Sequence, residues 1–413
     1  QGGDHRTGGR RRRQGRPRTA LVALAGTAQV DAAGGGEQLD GQHPAQPVHR
    51  AAQLAGGRPP HRDVVLLHRA GRDGVDAGRG GEPLQLVTLP LPEPGPGEVI
   101  LKVSHCGICG TDIHRTEENI WTFKPDTVPG HEFAGEVMAL GLGVDSLKVG
   151  QRVTALPYIG CNACARCLAG EPYFCTQSRN IGTEQIQGAY AEYVRASAVN
   201  CVPLPVDLSL EDGALVEPLA VGLHAVKRGR IGPADRVLVM GAGPIGLAVI
   251  WWARRVGARK VVVAATSDRR REMAMAMGAD EFIVCREGGE LAAMAKEALS
   301  GLPDVVVECV GLPGTIATAI SCVASQGRVV VAGACSTADS FYPLLGLARE
   351  ADILFSTVYD RDEFHQCVDA MDRGDVAPRA MITDKVSLED APQAFEGLRG
   401  RSHHCKILVT PNG

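Results

Sequence analysis

The chain has 413 residues, a formal net charge of -4, and 44% hydrophobic against 22% charged residues. That length supports two domains with a sizeable buried core, and the composition is that of a globular protein. The acidic balance argues against a nucleic-acid or anionic-membrane partner, and no apolar run reaches the roughly 18 residues that a membrane span needs.

Residues 1–81 stand apart. The first 80 are rich in Arg and Gly and hold no Cys, Met, Phe, Trp, Tyr, Lys, Ile or Asn. Without aromatic anchors or sustained apolar periodicity, such a stretch cannot offset its ordering entropy. It reads as a low-complexity segment, disordered or misassigned, the Arg/Gly/Ala/Pro bias being that of an out-of-frame upstream region in a GC-rich gene. The basic run Arg10–Arg13 could bind an acidic partner, and Thr19–Ala28 imitates a short secretory signal; both are weaker readings. If the segment is set aside, a strand before Leu84 is missing or imperfectly supplied by Val64–Leu67.

From residue 82 the chain becomes regular. Cys106-Gly-Ile-Cys109-Gly-Thr111-Asp112-Ile-His114 is followed by Gly130-His131-Glu132. On their own, one Cys and one His so far apart carry little. Next comes Cys161-x2-Cys164-x2-Cys167-x7-Cys175. Four thiolates at that spacing can wrap one Zn²⁺ tetrahedrally, and a closed four-sulfur shell leaves no position for substrate, so this site is structural. Disulfides and a four-iron cluster are the alternatives. In a large chain with a nucleotide-binding pattern, such a cluster reads as a metal site in a reducing compartment, and the odd total of 13 cysteines disfavours complete pairing.

The strand-like Arg236–Met240 runs into Gly241-Ala-Gly243-Pro244-Ile245-Gly246 and then a helix-like segment. In that context the glycines form a dinucleotide fingerprint. The first allows the tight turn, the second lets backbone approach a pyrophosphate, and the third permits close helix packing. The helix start offers its N–H groups to the phosphates. Further strand-like runs at Lys260–Ala264, Glu281–Cys285, Asp304–Val310, Arg328–Ala332 and Ile353–Thr357 make a doubly wound parallel sheet. An NAD site would place an acid at the end of the second strand, where Ala264 or Ala265 stands. Ser267 or Asp268 suits the cap of the following helix. Thr266, Ser267, Arg269 and Arg270 could accommodate a 2′-phosphate, so the balance leans slightly to NADP.

Together these motifs resemble the zinc-dependent medium-chain dehydrogenase/reductase family, over about four-fifths of the chain and in the family's order. The resemblance implies an α/β protein: a GroES-like β-rich catalytic domain over 82–217, with the structural zinc lobe at 161–175, and a Rossmann domain over 218–357. Residues 358–413 return to the catalytic domain. It implies two zincs per chain. Cys109 and His131 would be ligands of the catalytic ion, and Glu217, in Leu215-Val-Glu217-Pro, takes the family's third-ligand place. Glu132 would sit behind the metal or exchange with water on it. Asp112 would orient His131 or a nearby backbone group, and Cys106 would pack. Thr111 and His114 would carry the proton out, a role suited to the usual His pKa. The implied activity is hydride transfer between an alcohol, a secondary alcohol or polyol by preference, and NAD(P). A zinc-free quinone or enoyl reductase of the same fold and a zinc nucleic-acid module are the rivals, the second opposed by the acidic charge. Trp121, Phe123, Tyr158 and Tyr359 are unranked pocket candidates. A cytoplasmic homodimer or homotetramer acting on a small alcohol or carbonyl, with no nucleic-acid or membrane partner, completes the expectation.

Overall fold

The computed structural model describes residues 62–67, 83–117, 120–183, 185–286, 290–400 and 402–413. Apart from 62–67, the expectation for residues 1–81 lies outside the described residues. The strand left doubtful by the sequence is present at Arg62–Leu67, pairing antiparallel with Gln85–Pro90 in the register Val65↔Val87. Val65 is fully buried beside Val128 and Ala191.

The nucleotide half is a six-stranded parallel sheet. Its order is Glu281–Val284, Lys260–Ala265, Arg236–Met240, Val305–Glu308, Arg328–Val331, Asp352–Phe355. Central strands such as Val237–Val239, Val261–Val263 and Val305–Val307 are buried throughout, as a sheet covered on both faces requires. The order reverses between Arg236–Met240 and Val305–Glu308, and a crevice opens beyond the carboxyl ends of strands at such a switch point.

The β-rich half is a seven-stranded, mostly antiparallel sheet. Its path runs Ile382–Val386, Lys406–Val409, Glu98–Gly107, Glu132–Leu140, Arg152–Ala155, Cys201–Pro203, with Tyr193–Ser197 also pairing to Glu98–Gly107. The last strands of the chain thus join the sheet begun by Glu98–Gly107. This brings Lys406 beside residues met three hundred positions earlier.

Helix Leu210–Arg228 ties the halves together. It starts at a capping box in which Ser209 and Asp212 satisfy each other's backbone N–H groups. A Cβ on Gly213 would lie 2.6 Å from the Ala134 side chain, and one on Gly222 2.6 Å from that of Ala248. The two glycines therefore let this helix press against the β-rich sheet at one end and helix Pro244–Arg255 at the other. The boundary drawn at 217/218 falls inside this continuous helix.

Candidate active site

Cys109 follows strand Glu98–Gly107 and occupies the N-cap position of helix Gly110–Arg115 in an extended conformation. In the helix's first turn Asp112 is buried, and its Oδ2 accepts the Tyr190 hydroxyl at 2.7 Å. Its Oδ1 lies 3.2 Å from Nδ1 of His131, so the ring is oriented with Nε2 left for a metal. His131 precedes strand Glu132–Leu140, after Gly130 at φ +99°, where any Cβ would strike Tyr190 at 2.6 Å. Burial opposes charge on His131, but Asp112 and Cys109 outweigh it and hold its pKa well above the imidazole range.

The ligand atoms of Cys109, His131 and Glu132 lie within 4.8 Å of one another. Thiolate, imidazole and carboxylate form a donor set that suits zinc. Glu132 accepts from Lys406 Nζ through both oxygens, at 2.8 and 2.6 Å, with both side chains 1% exposed. Glu217 is not among the three. Its buried Oε1 accepts the Tyr359 hydroxyl at 2.8 Å. Burial, reinforced by Glu132 and opposed by His131, raises its pKa to about 7.

Thr111 is half-buried two residues beyond Cys109. His114 is exposed at the far end of the same short helix, with Nδ1 3.4 Å from Glu117. Cys106 is fully buried, as packing requires. Among the pocket candidates, Phe123, Tyr158 and Tyr359 are buried, whereas Trp121 is exposed.

The four sulfurs of Cys161, Cys164, Cys167 and Cys175 also lie within 4.8 Å of one another. The Sγ atoms of Cys161 and Cys167 are 4.0 Å apart, close to the roughly 3.8 Å required by tetrahedral zinc with Zn–S bonds of about 2.3 Å. Backbone N–H groups reach the sulfurs: Cys164 N to Cys161 at 3.3 Å and Gln177 N to Cys175 at 3.3 Å. Those of Ala163 and Cys164 lower the Cys161 thiol to about 6, whereas burial lifts Cys167 to about 12. All thirteen cysteines are free thiols.

In the other half, a cleft of about 510 Å³ is lined by Gly241, Gly243, Thr266, Ser267, Arg269 and Arg270, among others. Gly241 takes φ +101°, and a Cβ on Gly246 would lie 2.0 Å from the Gly241 carbonyl. Gly243 caps helix Pro244–Arg255 and lines the cleft; a Cβ there would meet nothing nearer than the Arg270 guanidinium at 4.0 Å, so its backbone is accessible to a ligand. Pro244, Ile245 and Gly246 build the turn and helix start and are not among the lining residues. Neither Ser267 nor Asp268 caps the next helix. That helix begins at Arg271, with Arg270 in the N-cap position and no side-chain cap. Arg270 instead donates to the carbonyls of Ala242 and His404, at 3.2 and 2.6 Å. Arg269 donates to Ser267 Oγ at 3.1 Å and to the Ser402 carbonyl at 3.3 Å. Two arginines expected to face a phosphate thus also join the nucleotide lip to the C-terminal segment.

Sequence reasoning passed over Lys406 and Tyr190. A lysine inside the apolar run Cys405–Val409 was a legible sign of a buried, paired charge. Nothing local marked Tyr190.

Known proteins match this arrangement. The alcohol dehydrogenase GroES-like domain matches residues 95–206, and the zinc-binding dehydrogenase family matches 244–373. L-idonate 5-dehydrogenase of Vitis vinifera is 33% identical over 80% of this chain and 92% of its own length. The chain belongs to the zinc-dependent medium-chain alcohol and polyol dehydrogenases. Sorbitol dehydrogenase of Bacillus subtilis (strain 168) is 30% identical to this dehydrogenase over 80% of the chain and 94% of its own length. A solved zinc-binding dehydrogenase from Sinorhizobium meliloti 1021, bound to NADP, superposes with a TM-score of 0.74 at 29% identity, covering 85% of this dehydrogenase and 99% of that chain. This dehydrogenase is accordingly an alcohol oxidoreductase that uses zinc and NAD(P), and no helix among its described residues is long and apolar enough to cross a membrane.

Proposed function

We propose that this dehydrogenase oxidises a secondary alcohol or polyol to the carbonyl, with Cys109, His131 and Glu132 holding the catalytic zinc and Glu217 beside it. The observation that carries the reading is the mutual approach of those three ligand atoms within 4.8 Å, with buried Glu217 electrostatically coupled to His131 and Glu132. Zinc bound there would supply Lewis-acid polarisation of the alcohol oxygen. Asp112 orients His131, and Lys406 fixes Glu132. Thr111 takes the hydroxyl proton and His114, open to solvent, releases it. Cys161, Cys164, Cys167 and Cys175 hold the second, structural zinc. The likeness to idonate and sorbitol dehydrogenases favours polyols.

We propose NADP as the preferred cofactor, from a second-strand end that carries Ala265 and Thr266 rather than an acid, with Ser267 and Arg269 in the cleft. A homodimer or homotetramer is supported by the edge strand Asp352–Phe355, with Phe355 67% and nearby Leu347 73% exposed. Thirteen cysteines with no disulfide among them, five of them at the two metal groups, suit the cytoplasm.

An alcohol and polyol panel run with NAD and NADP, alongside metal analysis, tests the reading. Oxidation of polyols by protein carrying about two zincs per chain is expected. Protein free of zinc that reduces quinones or enones instead would overturn it.

A further inference from the structure

Glu217 sits buried on helix Leu210–Arg228, and its Oε1 is tied to the phenol of Tyr359 at 2.8 Å. Oε2 makes no hydrogen bond to the described residues. Tyr359 arrives from 142 positions along the chain, just before helix Arg361–Asp372.

Its own placement is heavily determined. The ring stacks on Phe364 with centroids 5.5 Å apart and lies 6.2 Å from the ring of Tyr158. Tyr158 meets Tyr173 edge-on at 5.1 Å, Tyr173 meets Phe174 at 5.2 Å, and Phe174 immediately precedes Cys175. Backbone bonds follow the same route. The Gly170 carbonyl, inside the four-cysteine lobe, accepts Arg361 N at 2.9 Å. The Arg361 guanidinium donates to Asn200 Oδ1 at 3.2 and 3.1 Å, and Asn200 Nδ2 donates to the Tyr158 carbonyl at 2.6 Å. Tyr359 is therefore fixed from the lobe side by an aromatic ladder and a hydrogen-bonded frame.

We propose that Tyr359 is a positioning residue for the dehydrogenase reaction, holding the Glu217 carboxylate in one rotamer so that Oε2 is the oxygen available to the Cys109–His131–Glu132 centre. This rests on the reading that those three residues hold the catalytic zinc. The physical case is that a carboxyl torsion is broad and roughly two-fold when nothing holds it. A charge-assisted bond in a dry setting selects one orientation. A buried aromatic ring spends few torsions to deliver that bond, and its hydroxyl needs a partner there. Phenylalanine would keep the ladder and lose only the hold on Glu217.

The test is a double-mutant cycle on the zinc-loaded enzyme with Tyr359→Phe, Glu217→Gln and both together. The readouts are kcat and KM, the rate at which a chelator strips each zinc, and the unfolding midpoint. Wild-type metal content and alcohol oxidation, measured first, test the parent reading by themselves. Tyr359→Phe is expected to unfold near the wild-type midpoint and to lower kcat by about 10-fold or more, the usual scale for a bond to a charged group. KM for NAD(P) stays unchanged, and one zinc is lost faster while the four-cysteine zinc is not. In the Glu217→Gln background the Tyr359 change should add nothing, because the two residues act as one unit. Wild-type kcat and zinc release in Tyr359→Phe, or losses that multiply in the double variant, would overturn the proposal.

Discussion

The Lys406 ammonium donates to both carboxylate oxygens of Glu132, at 2.8 and 2.6 Å, and to the Ile108 carbonyl at 3.1 Å. Both side chains are sealed from solvent. Burial opposes the charge on Lys406, but Glu132 more than offsets it and holds the lysine well above its ordinary range. The pair joins the last strand of the chain to the residue after His131. In the zinc-free protein, replacing Lys406 by Met leaves a buried carboxylate without its cation, which should lower stability by about 3–5 kcal/mol. Denaturant unfolding checks this, and a loss below about 1 kcal/mol would mean that Glu132 finds another partner.

Asp112 touches Nδ1 of His131 and is itself held by the Tyr190 hydroxyl. Asp112→Asn should weaken zinc at the Cys109 centre by roughly 10- to 100-fold, the usual scale for residues supporting a ligand. Competition with a chelator measures it. Tyr190→Phe should move affinity the same way by less, and a variant of Asp112 with wild-type affinity would remove its orienting role.

Cys164→Ser takes one sulfur from the closed four-sulfur group. The variant should retain about one zinc per chain and melt several degrees lower, because a structural site contributes folding energy directly. Its loss in stability should exceed its loss in kcat. Full stability with a dead chemical step would assign the lobe to catalysis instead.

Asp212 accepts two bonds from Arg379, at 2.7 and 2.8 Å, and one from Ser209 N at 2.8 Å. Burial favours its neutral form, yet these partners prevail and keep its pKa below the usual carboxylate value. A depressed acid contributes stability that is present above the unfolded pKa, about 4, and lost as pH falls through the folded value. Asp212→Asn should therefore be less stable at pH 7 by about 1–3 kcal/mol. Its deficit should shrink in unfolding measurements below about pH 4. A deficit independent of pH would place the effect in packing.

Arg269 lines the nucleotide cleft and reaches Ser267 Oγ. If it serves a 2′-phosphate, Arg269→Ala should raise KM for NADP by about 10-fold or more while leaving NAD nearly unchanged. Equal losses with both cofactors would show that its bond to the Ser402 carbonyl is what matters.

Several features were open to reading without coordinates. The Gly241–Gly246 turn, its strand and its helix are contiguous; Gly241 and Gly246 answer local steric demands, and Gly243 keeps backbone open to a ligand. The four cysteines lie within one short loop, so their spacing alone brings the sulfurs within reach of a single ion. Cys109, Asp112 and His131 were found through a family pattern, and the structure brings their side chains together. The choice between the two acids was of another kind. The resemblance implied Glu217 as a ligand and Glu132 either behind the metal or exchanging with water on it; the three ligand atoms that approach within 4.8 Å are those of Cys109, His131 and Glu132.

The sequence by itself determined the parallel nucleotide sheet, the phosphate turn and the four-sulfur lobe, because each depends on periodicity or on residues a few positions apart. Only the tertiary structure decided which carboxylate meets Cys109 and His131, and what holds each acid. Lys406 reaches Glu132 across 274 positions and Tyr359 reaches Glu217 across 142. Those meetings follow from the return of the C-terminal strand into the first sheet and from the lie of helix Leu210–Arg228. They are set by strand pairing and close helix contact, which local pattern does not encode.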